Sequence, residues 1–212
     1  MLRWVLGTLG LPHRDRERLL VVMQEARSAE LSPALWQFWE TIDHYFAGDV
    51  AGAYSLLRDA ALADVGRAGQ EAILEAVARA EIALAAGHAD EALAAIDRLL
   101  GRMADYGFHG MEADARQIRG DALRALGRTD EATAAYQTAL AEARRQGARR
   151  AEWPALTALY DLEADPATRN DYRRAAAEII SYISDHLDDE ELREAFLALP
   201  DVGRLTTAGK GE

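Results

Sequence analysis

Three segments of the chain share one layout at a spacing of about 40 residues, and a period of that length restricts the fold to an array of stacked supersecondary units. They run Gly48-Asp49-Val50-Ala51-Gly52-Ala53, Gly87-His88-Ala89-Asp90-Glu91-Ala92 and Gly127-Arg128-Thr129-Asp130-Glu131-Ala132. In each, a glycine can end one helix, a short acidic stretch suits the positive end of the next, and a small residue follows five positions after the glycine. A large side chain (Leu57, Ile96, Tyr136) comes four residues past the small one, and another apolar residue (Ala60, Leu99, Ala139) three further on. Every second helix thus carries the same inward face, which predicts a helical hairpin repeated in tandem.

Around these units the apolar spacing predicts further helices. Leu19, Leu20, Met23 and Ala26 describe an amphipathic helix over 14–27 with no partner before it, so it reads as the second half of an incomplete hairpin. Ser32-Pro33 starts the next helix, where serine caps and proline occupies the first position. Helices are then expected at 50–62, 70–86, 90–105, 111–126 and 130–145, ending in a basic turn over 144–150. Trp153-Pro154 and Asp165-Pro166 predict helices over 154–163 and 167–186, and Asp188-Asp189-Glu190-Glu191 opens a last one that stops before Pro200. With no segment of β-period, the expected fold is all-α with about ten helices, a right-handed superhelix of antiparallel hairpins. The expected divisions are a leader and unpaired helix over 1–30, the repeat array over 31–187, and a capping helix with a flexible tail over 188–212.

The charge balance excludes one class of partner. Thirty-six acidic against 24 basic residues leave a formal net of −12, whereas binding a phosphate backbone needs concentrated Lys and Arg, so no nucleic acid is expected. Cysteine is absent, which removes disulfides and thiolate metal sites and makes the cytoplasm the default address. The apolar opening from Met1 to Leu11 falls far short of the ~20 residues a membrane span needs, and reads as an end cap of the array, with a disordered leader, an interfacial anchor or a site of self-association as the alternatives.

In the third unit Gly120, Leu123, Gly127, Ala132, Tyr136, Ala139 and Leu140 fall in order on the small and large positions of tetratricopeptide repeats. The second keeps Ala80, Gly87, Ala92, Ile96 and Leu99, and the first Gly48, Ala53, Leu57 and Ala60. The chain thus resembles that family, in the variety of about 40 residues found in large bacterial signalling and regulatory proteins. The ending from Glu191 to Pro200, with Val202 and Leu205, looks like the capping helix of large bacterial repeat-containing regulators and ATPases. What the resemblance implies is a non-enzymatic scaffold whose first helices line a groove. In this register the groove residues would be Leu35, Phe38, Ile42 and Tyr45; then Leu74, Val77, Glu81 and Leu84; then Asp114, Gln117, Asp121 and Arg124. Family members that hold a carboxylate tail use lysines and asparagines, and none stands at these positions.

Chemistry leaves little trace. The five histidines lack the spacing of a helical metal site, and phosphate-binding loop and serine-elbow motifs are missing, so no metal, cofactor or catalytic residue is expected. Asp43 beside His44, and Asp105 near His109, pair an acid with an imidazole, but no nucleophile completes either. His186 among Asp185, Asp188 and Asp189 is accounted for by helix capping. Phe38, Ile42 and Tyr45 either pack inside the array or form an apolar interaction patch. The expected function is binding of a peptide or helix of a protein partner in the concave groove. The alternatives are self-association as a homo-oligomeric scaffold or sensor portion of a regulator, and, remotely, a small-ligand receptor or enzyme with a pocket inside the superhelix.

Overall fold

The computed structural model describes residues 33–59 and 70–207; the expected leader, the helix over 14–27, the end of the helix drawn to Leu62 and the last five residues lie outside them. Ten helices occur among the described residues: α1 Pro33–Phe46, α2 Val50–Asp59, α3 Gln70–Ala85, α4 Ala89–Tyr106, α5 Glu112–Ala125, α6 Thr129–Gln146, α7 Arg149–Leu162, α8 Pro166–Asp185, α9 Glu190–Leu197 and α10 Pro200–Thr207. No strand is found among them, and no described helix is long and apolar enough to cross a membrane.

The turns explain the repeat. Gly48, Gly87 and Gly127 all stand at positive φ, as do Gly107 and Gly147. From Gly87 onward these glycines fall 20 residues apart, so each half-unit is one helix and its turn. At each turn the next N–H reaches back to a carbonyl five residues earlier, Arg128 to Leu123 and His88 to Ala83 both at 2.9 Å. That bond satisfies a carbonyl the helix end would otherwise orphan. Asp49 caps α2 by accepting from the Gly52 N–H at 2.9 Å. Asp90, Glu91, Asp130 and Glu131 instead occupy the first turns of α4 and α6, whose N-cap residues make no side-chain bond, so their charges act on the helix dipole.

Of the inward face expected of every second helix, Ala53, Ala92, Ala132, Ile96, Leu99, Tyr136 and Ala139 lie in the core, Leu57 is partly buried against it, and Ala60 lies outside the described residues. Each fully buried large apolar side chain contributes about 1.5–3 kcal/mol. Helices pack on their neighbours in sequence, and α1 also meets α3, α3 meets α5, and α5 meets α7. The first helices of successive hairpins thus form one layer, backed by the second helices.

Two prolines depart from the expected boundaries. α7 begins at Arg149, so the run 144–150 is two helix ends around a two-residue turn, and Pro154 sits inside the helix instead of opening it. Its missing N–H forfeits a bond to the Arg150 carbonyl, a cost outweighed by burial of Trp153, Ala155, Leu156, Ala158 and Leu159. Pro200, expected as a stop, is the first residue of α10, where the missing donor is harmless. Val202 and Leu205 are fully buried, and α10 packs on α8.

Candidate functional site

The first helices α3, α5 and α7 border a cleft of about 660 Å³. α3 supplies Glu81, Leu84 and Ala85; α5 supplies Asp114, Gln117, Ile118, Asp121, Arg124 and Ala125. α7 adds Trp153, Pro154, Thr157, Ala158 and Asp161, and the α9–α10 junction completes the wall with Leu199, Pro200 and Asp201. Glu81, Asp121 and Asp161 are each 40 residues apart, one register position on three successive first helices.

Of the residues placed in the groove by sequence, Glu81, Leu84, Asp114, Gln117, Asp121 and Arg124 come together here. The side chains of Leu35 and Leu74 lie outside the described residues. Ile42 and Val77 are buried, only 3% and 1% exposed, and do not line the cleft. Val77 packs with Ile96 of α4 and Ile118 of α5, on the flank of α3 that those helices cover. Phe38 and Tyr45 are partly buried, pack against the main core and do not line the cleft. The α7 wall went unrecognised in the sequence because Pro154 reads as a helix start. Its signal was present: Asp114, Gln117 and Asp121 advanced by one period give Pro154, Thr157 and Asp161.

Acceptors dominate the lining. Asp114 is buried, and both its oxygens accept from the Arg150 guanidinium at 3.2 Å. Burial pushes its carboxyl above the usual range, and Arg150 offsets only part of that rise. Asp121 Oδ1 accepts from the Tyr136 hydroxyl at 2.8 Å and from Gln117 Nε2 at 3.5 Å. The second bond fixes the amide orientation and leaves Gln117 Oε1 buried without a hydrogen-bond partner. Asp161 accepts from Arg204 of α10, which also reaches Asp201 at 2.8 Å, and the two carboxylates hold the guanidinium's pKa above its ordinary value. Arg124 stands 3.9 Å from Asp161.

The histidines choose partners other than those nearest in sequence. His44 Nδ1 lies 2.8 Å from Asp49, in place of Asp43, and His109 Nδ1 lies 2.9 Å from Glu112, in place of Asp105. His186 stacks on Tyr182 and donates from Nδ1 to its carbonyl at 2.7 Å, while His88 stacks on Tyr54. His109, Glu112 and Glu142 bring three potential ligand atoms within 4.8 Å of one another. Arg116 already binds Glu112, and Arg145 binds Glu142, so the charge of both carboxylates is compensated by arginine.

A family model described as a tetratricopeptide repeat-like domain matches residues 25–159. Among solved structures, Bacillus thuringiensis PlcR in complex with the peptide PapR7 and DNA superposes with a TM-score of 0.68 at 15% identity, covering 89% of this chain and 70% of that one. A Podospora anserina putative kinesin light chain with nearly identical TPR-like repeats gives a TM-score of 0.55 at 16% identity, over 87% of this chain and 95% of that one. No curated protein matches the sequence.

Proposed function

The chain belongs to the tetratricopeptide repeat-like family, and from that membership we propose that it is a non-enzymatic interaction module taking a peptide segment or helix of a partner protein in the cleft between α3, α5 and α7. One observation carries this reading: three successive first helices offer the same register positions to a single preformed cleft with both apolar and hydrogen-bonding walls. Leu84, Ile118, Trp153 and Leu199 supply the apolar part. A groove built on packed helices needs no ordering of its own when it binds, which keeps the entropic cost on the ligand side.

The similarity to PlcR, a structure containing a bound peptide, supports a peptide as the occupant. The DNA of that complex does not transfer, because a chain of net charge −12 with five carboxylates and one arginine in its cleft lining repels phosphate. The ring nitrogens of His44 and His109 face carboxylates, an arrangement that supports a structural role for them. The cytoplasm remains the proposed location.

The test is selection from a random peptide display library, on wild type and on Ala125→Trp. Ala125 is exposed and lines the cleft, so an indole there fills the space without disturbing the core. Peptides enriched on wild type should lose at least about tenfold in affinity for the filled variant. Equal binding to both proteins contradicts the reading.

A further inference from the structure

Trp153 of α7 lines the cleft with only 6% of its surface exposed. An indole N–H withdrawn to that degree ordinarily finds an acceptor within its own protein. This one does not: no described residue accepts from Trp153 Nε1, and the nitrogen keeps accessible surface on a residue that lines the cleft. The other uncharged side-chain donors of the lining are engaged. The Thr157 hydroxyl donates to the Trp153 carbonyl at 2.7 Å, and Gln117 Nε2 donates to Asp121 at 3.5 Å.

The C-terminal helices hold the indole in place. Phe196 of α9, itself buried, meets it edge to face, with ring centroids 6.1 Å apart and planes at 82°. The junction after α9 then lays Leu199 and Pro200 along the same cleft. Helix α10 is fastened in turn by buried Val202 and Leu205 and by Arg204, which binds Asp161 and Asp201. A donor carried on packed helices is already oriented before a ligand arrives.

We infer that Trp153 sets the register of the bound segment: its indole N–H donates to a backbone carbonyl of an extended partner peptide, with an apolar side chain of that peptide on the surface that Leu84 and Leu199 add to the cleft. This rests on the groove reading above and decides between its two ligand forms. Carbonyls inside a helix are spent on the helix's own bonds, and an anionic acceptor is disfavoured by the acidic lining. The acceptor that fits is therefore the free carbonyl of an extended backbone.

The test takes peptides enriched on wild type from the random library and rejected by Ala125→Trp. In isotope-labelled wild type, saturating peptide should move the assigned Trp153 indole proton downfield, as a newly formed hydrogen bond does; this readout needs no variant at position 153. Peptide amides are also replaced one at a time by esters, which weakens each carbonyl in turn as an acceptor. One ester should cost about fivefold in affinity on wild type and clearly less on Trp153→Phe, which keeps an aromatic ring beside Phe196 but has no donor. Because ester and amide are compared on each protein, any general weakening by the substitution cancels. An indole proton that stays in place at saturation, equal ester losses on both proteins, or a bound peptide that is helical overturns the role of Trp153 and leaves the groove reading standing. Peptides indifferent to Ala125→Trp overturn both.

Discussion

A Cβ at Gly120 would stand 2.3 Å from Cε1 of Tyr136, closer than any unstrained contact allows. The missing side chain on α5 is the space that the tyrosine ring of α6 occupies, and that ring is fully buried. Gly120→Ala must displace the ring or separate the helices, so it should cost about 1–3 kcal/mol. Urea unfolding measures this. Because the clash is with one ring, Gly120→Ala combined with Tyr136→Leu should destabilise by less than the sum of the two; strict additivity would contradict this account.

Tyr136→Phe keeps the ring and removes the hydroxyl that donates to Asp121, which should cost about 1 kcal/mol at neutral pH. Burial, reinforced by the Asp121 carboxylate, raises the phenol's pKa above its ordinary 10.0. A group whose folded pKa is raised contributes stability below the unfolded value and loses it as pH climbs past 10.0. The difference between wild type and Tyr136→Phe should therefore shrink in alkaline solution. A difference that grows there would refute the assignment.

Much of this was legible in the chain itself. The glycines at 48, 87 and 127 and the small and large residues after them are local signals, set by backbone sterics and helix period, and the structure places them as those signals require. Pro154 was misread because a proline's local preference is outweighed there by what its neighbours Trp153 and Leu156 bury, whereas at Pro200 the expected helix does stop and the proline, in a favoured first position, opens a further helix that buries Val202 and Leu205. Groove and core are harder to separate from spacing alone. Val77 and Gln117 occupy the same register position, yet the α3 residue is sealed among Ile96 and Ile118 while the α5 residue lines the cleft. Which flank a neighbour covers is tertiary information.

Arg150→Met leaves Asp114 buried without its guanidinium. Breaking such a pair should cost about 2 kcal/mol at neutral pH, discounted from the fully buried case because Arg150 is half exposed. Asp114's folded pKa is raised, so its neutral form is the one the fold favours. Lowering the pH toward its ordinary value of 3.8 protonates it and should remove most of the penalty. Chemical denaturation at both pH values checks this, and an equal cost at the two would count against it.

Glu142 is held at a pKa of about 2, below its ordinary 4.5, chiefly by the Arg145 guanidinium, with Gln146 also donating. A depressed carboxylate contributes stability above its unfolded pKa and loses it as pH falls from 4.5 toward about 2. Glu142→Gln should flatten the acid limb of a thermal stability profile across that window. An unchanged limb would assign acid unfolding to other carboxylates.

The most direct test of the central claim is amide chemical-shift mapping of the isotope-labelled protein during titration with a display-selected peptide. The account predicts perturbations gathered on Glu81, Leu84, Gln117, Asp121 and Thr157 of the cleft, with Ala94, Arg98, Gln137 and Ala141 on the exposed faces of α4 and α6 unmoved. Shifts confined to α4 and α6, with the cleft silent, would contradict it.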